Sequence, residues 1–283
     1  MKPIAKCIIC RERNIATGEY CRECFDLYVK DKSQAELPDW IIKARHGKLT
    51  YENGPSIEGV IGLYDGFHFG DELRMLNRYA SEVTEGVIVA IGSYRGQTDI
   101  ALALNAQVSV YCIDNRSGSI GEDYPFGDAD RVEWMKNILA FGVGAKVRPI
   151  NLLSEQAVEG WTLNIGMLFI DGSHDYDSVM RDTRLWLPFL LEGGIVAFHD
   201  VGNPHAPDVD EAIGDRLKDK YQHIETANIT AIYRLIPVSS GLFGRAHGIS
   251  NYYLTEEELA ECDTHSVPRP PFREFTPRKK KTE

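Results

Sequence analysis

The chain has 283 residues, 43% hydrophobic and 26% charged, with a formal net charge of −11. That length holds one full α/β domain with small additions, and the composition is that of an ordinary globular chain. The acidic balance argues against a broad nucleic-acid footprint, no apolar run reaches the roughly eighteen residues of a membrane span, and MKPIAKCIIC lacks the apolar core of a signal peptide, so a cytoplasmic location is expected.

Four of the six cysteines open the chain as Cys7-Ile8-Ile9-Cys10 and Cys21-Arg22-Glu23-Cys24. Each C-x-x-C can wrap a tight turn that aims two thiolates at one ion, and two such turns complete a closed, structural zinc site. A redox pair or unliganded thiols are the alternatives. A knuckle of this size cannot bury a core of its own, so metal would supply its folding energy. Arg11, Arg13 and Arg22 flank it. They allow a nucleic-acid role, while the acidic neighbours favour a folding staple or a contact between copies, and a homo-oligomer is expected. Residues 1–34 are this module and 35–56 a linker. The stretch IEGVIGLYDGFHFG then reads either as a lid over a substrate or as packing on the sheet.

Asp71 is placed to N-cap a helix over Glu72–Glu82, with Leu73, Leu76 and Tyr79 on one face. The run VIVAI (Val87–Ile91) predicts a buried strand, followed by Gly92-Ser93-Tyr94-Arg95-Gly96 and a helix from Asp99 to Asn105. A glycine turn between strand and helix lets a ligand approach the backbone and the free N–H groups of the helix. The next strand, Val108–Ile113, ends at Asp114-Asn115, where a carboxylate can accept both ribose hydroxyls; a plain turn aspartate is the alternative. Tyr94 stands where the dinucleotide fingerprint has its second glycine, which points away from NAD and toward a smaller adenosine-containing ligand. A polar loop over 115–127, a helix Asp130–Phe141, a strand Lys146–Asn151 and a short helix from Ser154 follow. Ser154 lies beyond that strand's end, where a base edge can be read.

The chain is organised around IGMLFIDGSHDYDSVMRDTRLWLPFLLEGGIVAFHDV, from Ile165 to Val201. Two apolar runs, Gly166–Ile170 and Ile195–Phe198, flank a helical pattern over Ser178–Leu191 that stops at Gly193-Gly194. Such a βαβ unit makes the strands parallel with a right-handed crossover. Asp171 with His174, and His199 with Asp200, then emerge together at the carboxyl rim, where open α/β sheets bind ligands. A helix over Asp208–Lys220 and two strands, Tyr221–Ala227 and Thr230–Ile236, follow; their short link makes them antiparallel neighbours. Residues 237–283 read as an arm ending in the basic tail Arg278-Lys279-Lys280-Lys281, either a solvated terminus or an interaction tail.

Over Ile57–Ile236 the order of five parallel strands and an antiparallel pair resembles the class I S-adenosylmethionine-dependent methyltransferases. VIVAIGSYRGQT looks like that family's first motif and VYCIDN like its second. FIDGSHDYDSVMRDTRLWLPFLLEGGIVAFHDV is similar to the metal-dependent branch that methylates small molecules and sugars, with macrolide-sugar and cephalosporin-pathway members. The resemblance implies an α/β, Rossmann-like sheet of seven strands, mostly parallel with an antiparallel edge strand, over 57–236. It implies S-adenosyl-L-methionine as cofactor, with Gly92, Ser93, Tyr94, Gly96, Asp114, Asn115, Ser154 and Asp171 in its site. Asp171, His199 and Asp200 would hold a divalent metal, Mg2+ or Mn2+, and His174, in a D-x-x-H spacing, would be the general base. The implied substrate is a small hydroxylated acceptor, with no membrane partner.

Two departures stand out. Ala90 replaces the acidic residue of the first motif, and His199 replaces a carboxylate, which suits a transition metal at least as well as magnesium. Ala90 also favours a second class of function, a methyltransferase-like scaffold working through the zinc module. A third is an RNA or protein methyltransferase.

Overall fold

The computed structural model describes residues 55–63, 68–115 and 128–236. The cysteine module, residues 35–54 of the linker, the 116–127 loop and the arm over 237–283 lie outside the described residues.

Seven strands form one sheet: β1 (Val87–Ile91), β2 (Val110–Ile113), β3 (Val147–Ile150), β4 (Ile165–Ile170), β5 (Leu190–Phe198), β6 (Tyr221–Ala227) and β7 (Thr230–Leu235). Their spatial order is β3-β2-β1-β4-β5-β7-β6. The first five are parallel, and β7 runs antiparallel to both β5 and β6. The mostly parallel, seven-stranded architecture expected from the sequence is therefore present. The winding direction reverses between β1 and β4, and a crevice opens at such a switch point, beyond the carboxyl ends of the strands.

Both faces of the sheet are covered, so its central strands are apolar on both sides rather than alternating. Along β1, Ile88 and Ala90 face α1 (Ile57–Ile61), α2 (Gly70–Glu82), α3 (Gln97–Leu104) and α4 (Asp128–Ala140). Their partners there include Val60, Leu73, Leu76, Ile100 and Trp134. Val89 and Ile91 face α6 (Tyr176–Trp186) and α7 (Pro207–Leu217), packing with Val179, Trp186, Leu187 and Ile213. The single turn α5 (Ser154–Ala157) closes the rim beyond β3. No helix among the described residues is long and apolar enough to cross a membrane.

Two local expectations are corrected, and an open alternative is decided in part. The helix α2 starts at Gly70 with Phe69 as its N-cap, and Asp71 lies in its first turn rather than capping it. The carboxylate that closes this helix end is Glu72, which accepts the Phe69 N–H at 2.9 Å. The helix of the central unit ends at Trp186 rather than Leu191, because Pro188 brings no N–H and the chain tightens into a 3-10 turn over Leu187–Phe189. Gly193 and Gly194 lie inside β5, where the register slips between Ile165↔Leu190 and Met167↔Ile195. Finally, the segment opening IEGVIGLYDGFHFG contains α1, whose Ile57, Val60 and Ile61 pack on the core. This part of the segment packs with α2 and α3 in the core on that side of the sheet.

Candidate functional site

Register brings the site together. Ile91, Ile170 and Phe198 are side by side at the ends of β1, β4 and β5. Each following residue bonds to the neighbouring strand's last carbonyl: Asp171 N–H to Ile91 O at 2.9 Å, and His199 N–H to Ile170 O at 3.1 Å. In the same way Gly92 N–H donates to Ile113 O at 2.9 Å, and Asp114 N–H to Ile150 O at 3.1 Å. Gly92, Asp114, Asp171 and His199 thus form one row along the rim.

The glycine turn is held by backbone and by α4. Gly92 has φ +88°, and a Cβ there would stand 1.9 Å from the Asp171 carbonyl oxygen, so no other residue lets β1 and β4 leave the sheet so close together. Tyr94 adopts φ 40°, a glycine-like conformation kept without glycine. The Ser93 and Tyr94 N–H groups donate to Asp114 Oδ2 at 2.8 and 3.1 Å. Asp114 therefore already organises the turn whose far side would face a ligand. Asn115 follows it at the same rim.

From the other side Arg95 pairs with Asp130 at 2.7 Å, and Asn137 donates to the Arg95 carbonyl at 2.9 Å. Gly96 (φ +85°) leaves room for the Trp134 ring, whose Nε1–H donates to the buried Asp99 at 2.6 Å. The buried Ser93 hydroxyl has no hydrogen-bond partner among the described residues. An orphaned polar atom on a cradle of this shape fits a polar ligand group. Ala90 is fully buried between Cys112 and Phe169 in register, and offers a methyl where the related motif carries a charge.

Ser154 is buried, and its hydroxyl donates to Asp182 of α6. Burial pushes the Asp182 carboxyl up to about 6, against the opposing effect of that hydrogen bond.

The second half of the site is a network of carboxylates and imidazoles. His199 Nδ1 lies 3.2 Å from Asp171 Oδ1 and 2.9 Å from Asp200 Oδ2. His174 Nε2 reaches the same Asp200 oxygen at 3.0 Å from a partly exposed position. Asp200 adopts φ 62°, and Asn203 Nδ2 donates to its other oxygen at 2.5 Å. The structure thus brings Asp171, His174, His199 and Asp200 into one cluster.

Two members were not singled out in the sequence. His68 Nε2 lies 3.3 Å from Asp171 Oδ2, and the His68 and His199 rings stand 4.3 Å apart. Glu72, fully buried, places Oε2 at 3.7 Å from His199 Nε2. Their only sequence signal was weak: a histidine inside a run of glycines and aromatics, and an acid at a helix start.

Electrostatics follow from the geometry. Burial alone would lower the His199 pKa, but the charge and hydrogen bond of Asp171, with help from Asp200 and Glu72, push it up to about 12. Burial would raise Asp171, yet His199 and His68 hold it well below the usual carboxylate range. Glu72 and Asp200 are lowered by His199 against the same burial effect. Two overlapping sets, His68–Asp171–His199 and Asp171–His174–Asp200, each have ligating atoms within 4.8 Å of one another and fit a metal ion.

Residues 89–201 match the model of a family described as a methyltransferase domain. That span runs from inside β1 to the residue after Asp200. The fold is similar to that of the O-methyltransferase NovP, with a TM-score of 0.52 and 16% identity, over 70% of this chain and 97% of that one. It is also similar to a Klebsiella pneumoniae protein described as a candidate O-methyltransferase, with a TM-score of 0.51 and 14% identity, over 70% and 98%. At these identities the likeness concerns the fold. The chain therefore carries a methyltransferase domain, on the fold expected of such an enzyme.

Proposed function

We propose that this domain transfers the methyl group of S-adenosyl-L-methionine to a hydroxyl of a small molecule, such as a sugar or a glycosylated metabolite, with the help of a divalent metal. The observation that carries the reading is the shared rim. The glycine turn with Asp114 stands beside an acid–imidazole cluster that fits a cation and contains a partly exposed histidine.

S-adenosyl-L-methionine supplies an activated methyl group, and a divalent cation lowers the pKa of an acceptor hydroxyl and orients it. The protein's own groups do the rest. Gly92, Ser93, Tyr94 and Gly96 hold the methionine end of the donor, and Asp114 with Asn115 its ribose. Ser154, tied to Asp182, flanks the adenine end. Asp171, His199 and Asp200 hold the metal, Mg2+ or Mn2+. His174, whose Nε2 faces Asp200, is the general base for the acceptor hydroxyl, and Asp200 stabilises the resulting imidazolium. Holding donor and acceptor in line contributes much of the remaining acceleration.

Cys7, Cys10, Cys21 and Cys24 are proposed to hold a structural zinc in a module that joins copies of the chain. A cytoplasmic location accompanies this reading.

Calorimetric titration of S-adenosylhomocysteine should show binding that Asp114→Ala loses. With a panel of glycosylated hydroxyl acceptors, methyl transfer should stop on mild chelation and in Asp171→Asn. His174→Ala should lower kcat by about 10²- to 10⁴-fold. Transfer that survives both chelation and Asp171→Asn sinks the metal mechanism. Silence of the wild type toward S-adenosylhomocysteine supports the second reading, a scaffold that has lost its cofactor, which the buried methyl of Ala90 favours.

A further inference from the structure

The neighbouring His68 and His199 rings each face a different oxygen of the Asp171 carboxylate. The second nitrogen of each ring is already turned to a polar side chain of the protein. The Thr98 hydroxyl lies 3.2 Å from His68 Nδ1, the nearer ring nitrogen, against 3.4 Å from Nε2. Glu72 Oε2 faces His199 Nε2, and that carboxylate is itself fixed by the N–H groups of Phe69 and Ile229 at 2.9 and 3.0 Å. An imidazole whose proton sits on the nitrogen facing such a partner presents a lone pair from the other one. Metal-ligating histidines are held this way. His68 Nε2 and His199 Nδ1 both face the Asp171 carboxylate, and His199 Nδ1 also lies 2.9 Å from Asp200 Oδ2. A proton on His199 Nδ1 can bridge this space to the carboxylates, and a divalent cation can replace it. The nitrogen-to-oxygen separations of 3.2 and 3.3 Å match the edges of a coordination shell with bonds of about 2.0–2.2 Å.

We propose that His68 is a metal ligand that joins Asp171, His199 and Asp200, and that the site takes a divalent first-row transition ion such as manganese, cobalt or zinc rather than magnesium. This rests on the metal-assisted reading above and adds a ligand and a metal class to it. Magnesium demands a nearly all-oxygen octahedron and parts reluctantly from its water, whereas imidazole suits the later transition ions. The histidine replacing a carboxylate at position 199 then has a counterpart at position 68, more than a hundred residues earlier. Ligation also fastens the segment ahead of α2 to the rim of β4 and β5.

The test uses the full chain, stripped of loosely held metal, with Mn2+ as the probe. Thiolates compete poorly for this ion, so the cysteine pairs do not obscure the result. Loss of the free-ion EPR signal gives affinity, and nitrogen modulation in pulsed EPR reports bound imidazole. The wild type should bind Mn2+ with strong nitrogen modulation. His68→Ala should weaken binding by at least about tenfold and reduce the modulation. His68→Gln keeps a polar group for Thr98 and carries the test where the alanine variant does not fold. Asp171→Asn should weaken binding at least as much. Equal affinity and equal nitrogen modulation in the wild type and both His68 variants removes His68 from the ligand set, while a site on Asp171, His199 and Asp200 stands. Displacement of Mn2+ by an equal concentration of Mg2+ overturns the metal class. No Mn2+ binding by the wild type overturns this inference and the metal-assisted reading together.

Discussion

At the scale of single residues, the two ends of β1 and β4 are joined more tightly than their side chains suggest. Gly92 lies so close to the Asp171 carbonyl that a methyl group cannot be added without moving one strand end. Gly92→Ala should therefore cost about 3 kcal/mol or more in chemical denaturation, from the combined clash and left-handed strain, and should displace Asp171 from its imidazoles. Asp182 makes a different prediction. Its carboxyl is raised by burial from an ordinary 3.8 to about 6, so between these values the folded chain binds more protons than the unfolded one. The stability that comes from the protonated form is full below about pH 4 and is lost as pH rises toward 6. Asp182→Asn keeps an acceptor for Ser154 and cannot ionise. Its stability relative to wild type should rise by on the order of 2 kcal/mol between pH 4 and pH 7, followed by urea unfolding at each pH. An unchanged difference across that window counts against a buried, protonatable Asp182.

At the scale of elements, α2 is a clamp rather than a cover. Its amphipathic face buries Leu73, Leu76 and Tyr79, while Glu72 in its first turn holds both the helix start and the Ile229 N–H of the β6–β7 turn. One buried carboxylate thus connects the front of the helix, the far end of the sheet and His199. Glu72→Ala leaves two backbone donors without their acceptor and should lose about 2–4 kcal/mol of folding stability. Glu72→Gln, which keeps one acceptor oxygen, should lose less. Equal stability of wild type and Glu72→Ala in a denaturation series would show that water replaces the carboxylate at both donors. Outside the cluster, Arg78 and Tyr79 of the same helix both reach Glu225 of β6, at 2.6 and 3.0 Å. This is a half-exposed contact, worth little beyond fixing the helix direction.

At the scale of the whole molecule, the reversal of winding between β1 and β4 places the glycine turn and the acid–imidazole cluster on the same edge of one rigid sheet. A ligand that bridges them binds only the folded chain, so it stabilises by mass action. S-adenosylhomocysteine at about a hundred times its Kd should add about 2.7 kcal/mol, read as a rise in Tm, and Asp114→Ala should abolish the rise. A rise that persists in Asp114→Ala places the ligand elsewhere.

How much of this was legible beforehand depends on how local each determinant is. Apolar runs bounded by glycine and acid identified the strands β1, β2, β4 and β5, and put Asp114, Asp171, His199 and Asp200 at their carboxyl ends, because strand parity and the βαβ crossover are properties of short sequence. The end of the central helix was misjudged, since Gly193-Gly194 looks like a helix stop and belongs to an irregular strand, while Pro188 ended the helix earlier. His68 and Glu72 had only a weak local signature, and Asp182 had none. Their roles arise from packing: α2 laid across the sheet end brings His68 and Glu72 to residues more than a hundred positions away, and α6 folded back beneath the rim buries Asp182 beside Ser154. The sequence by itself determined which polar groups reach the rim. The tertiary structure decided which of them share one cluster, because distances of three to four ångströms between side chains on different elements are set by register and helix docking, and no spacing along the chain encodes them.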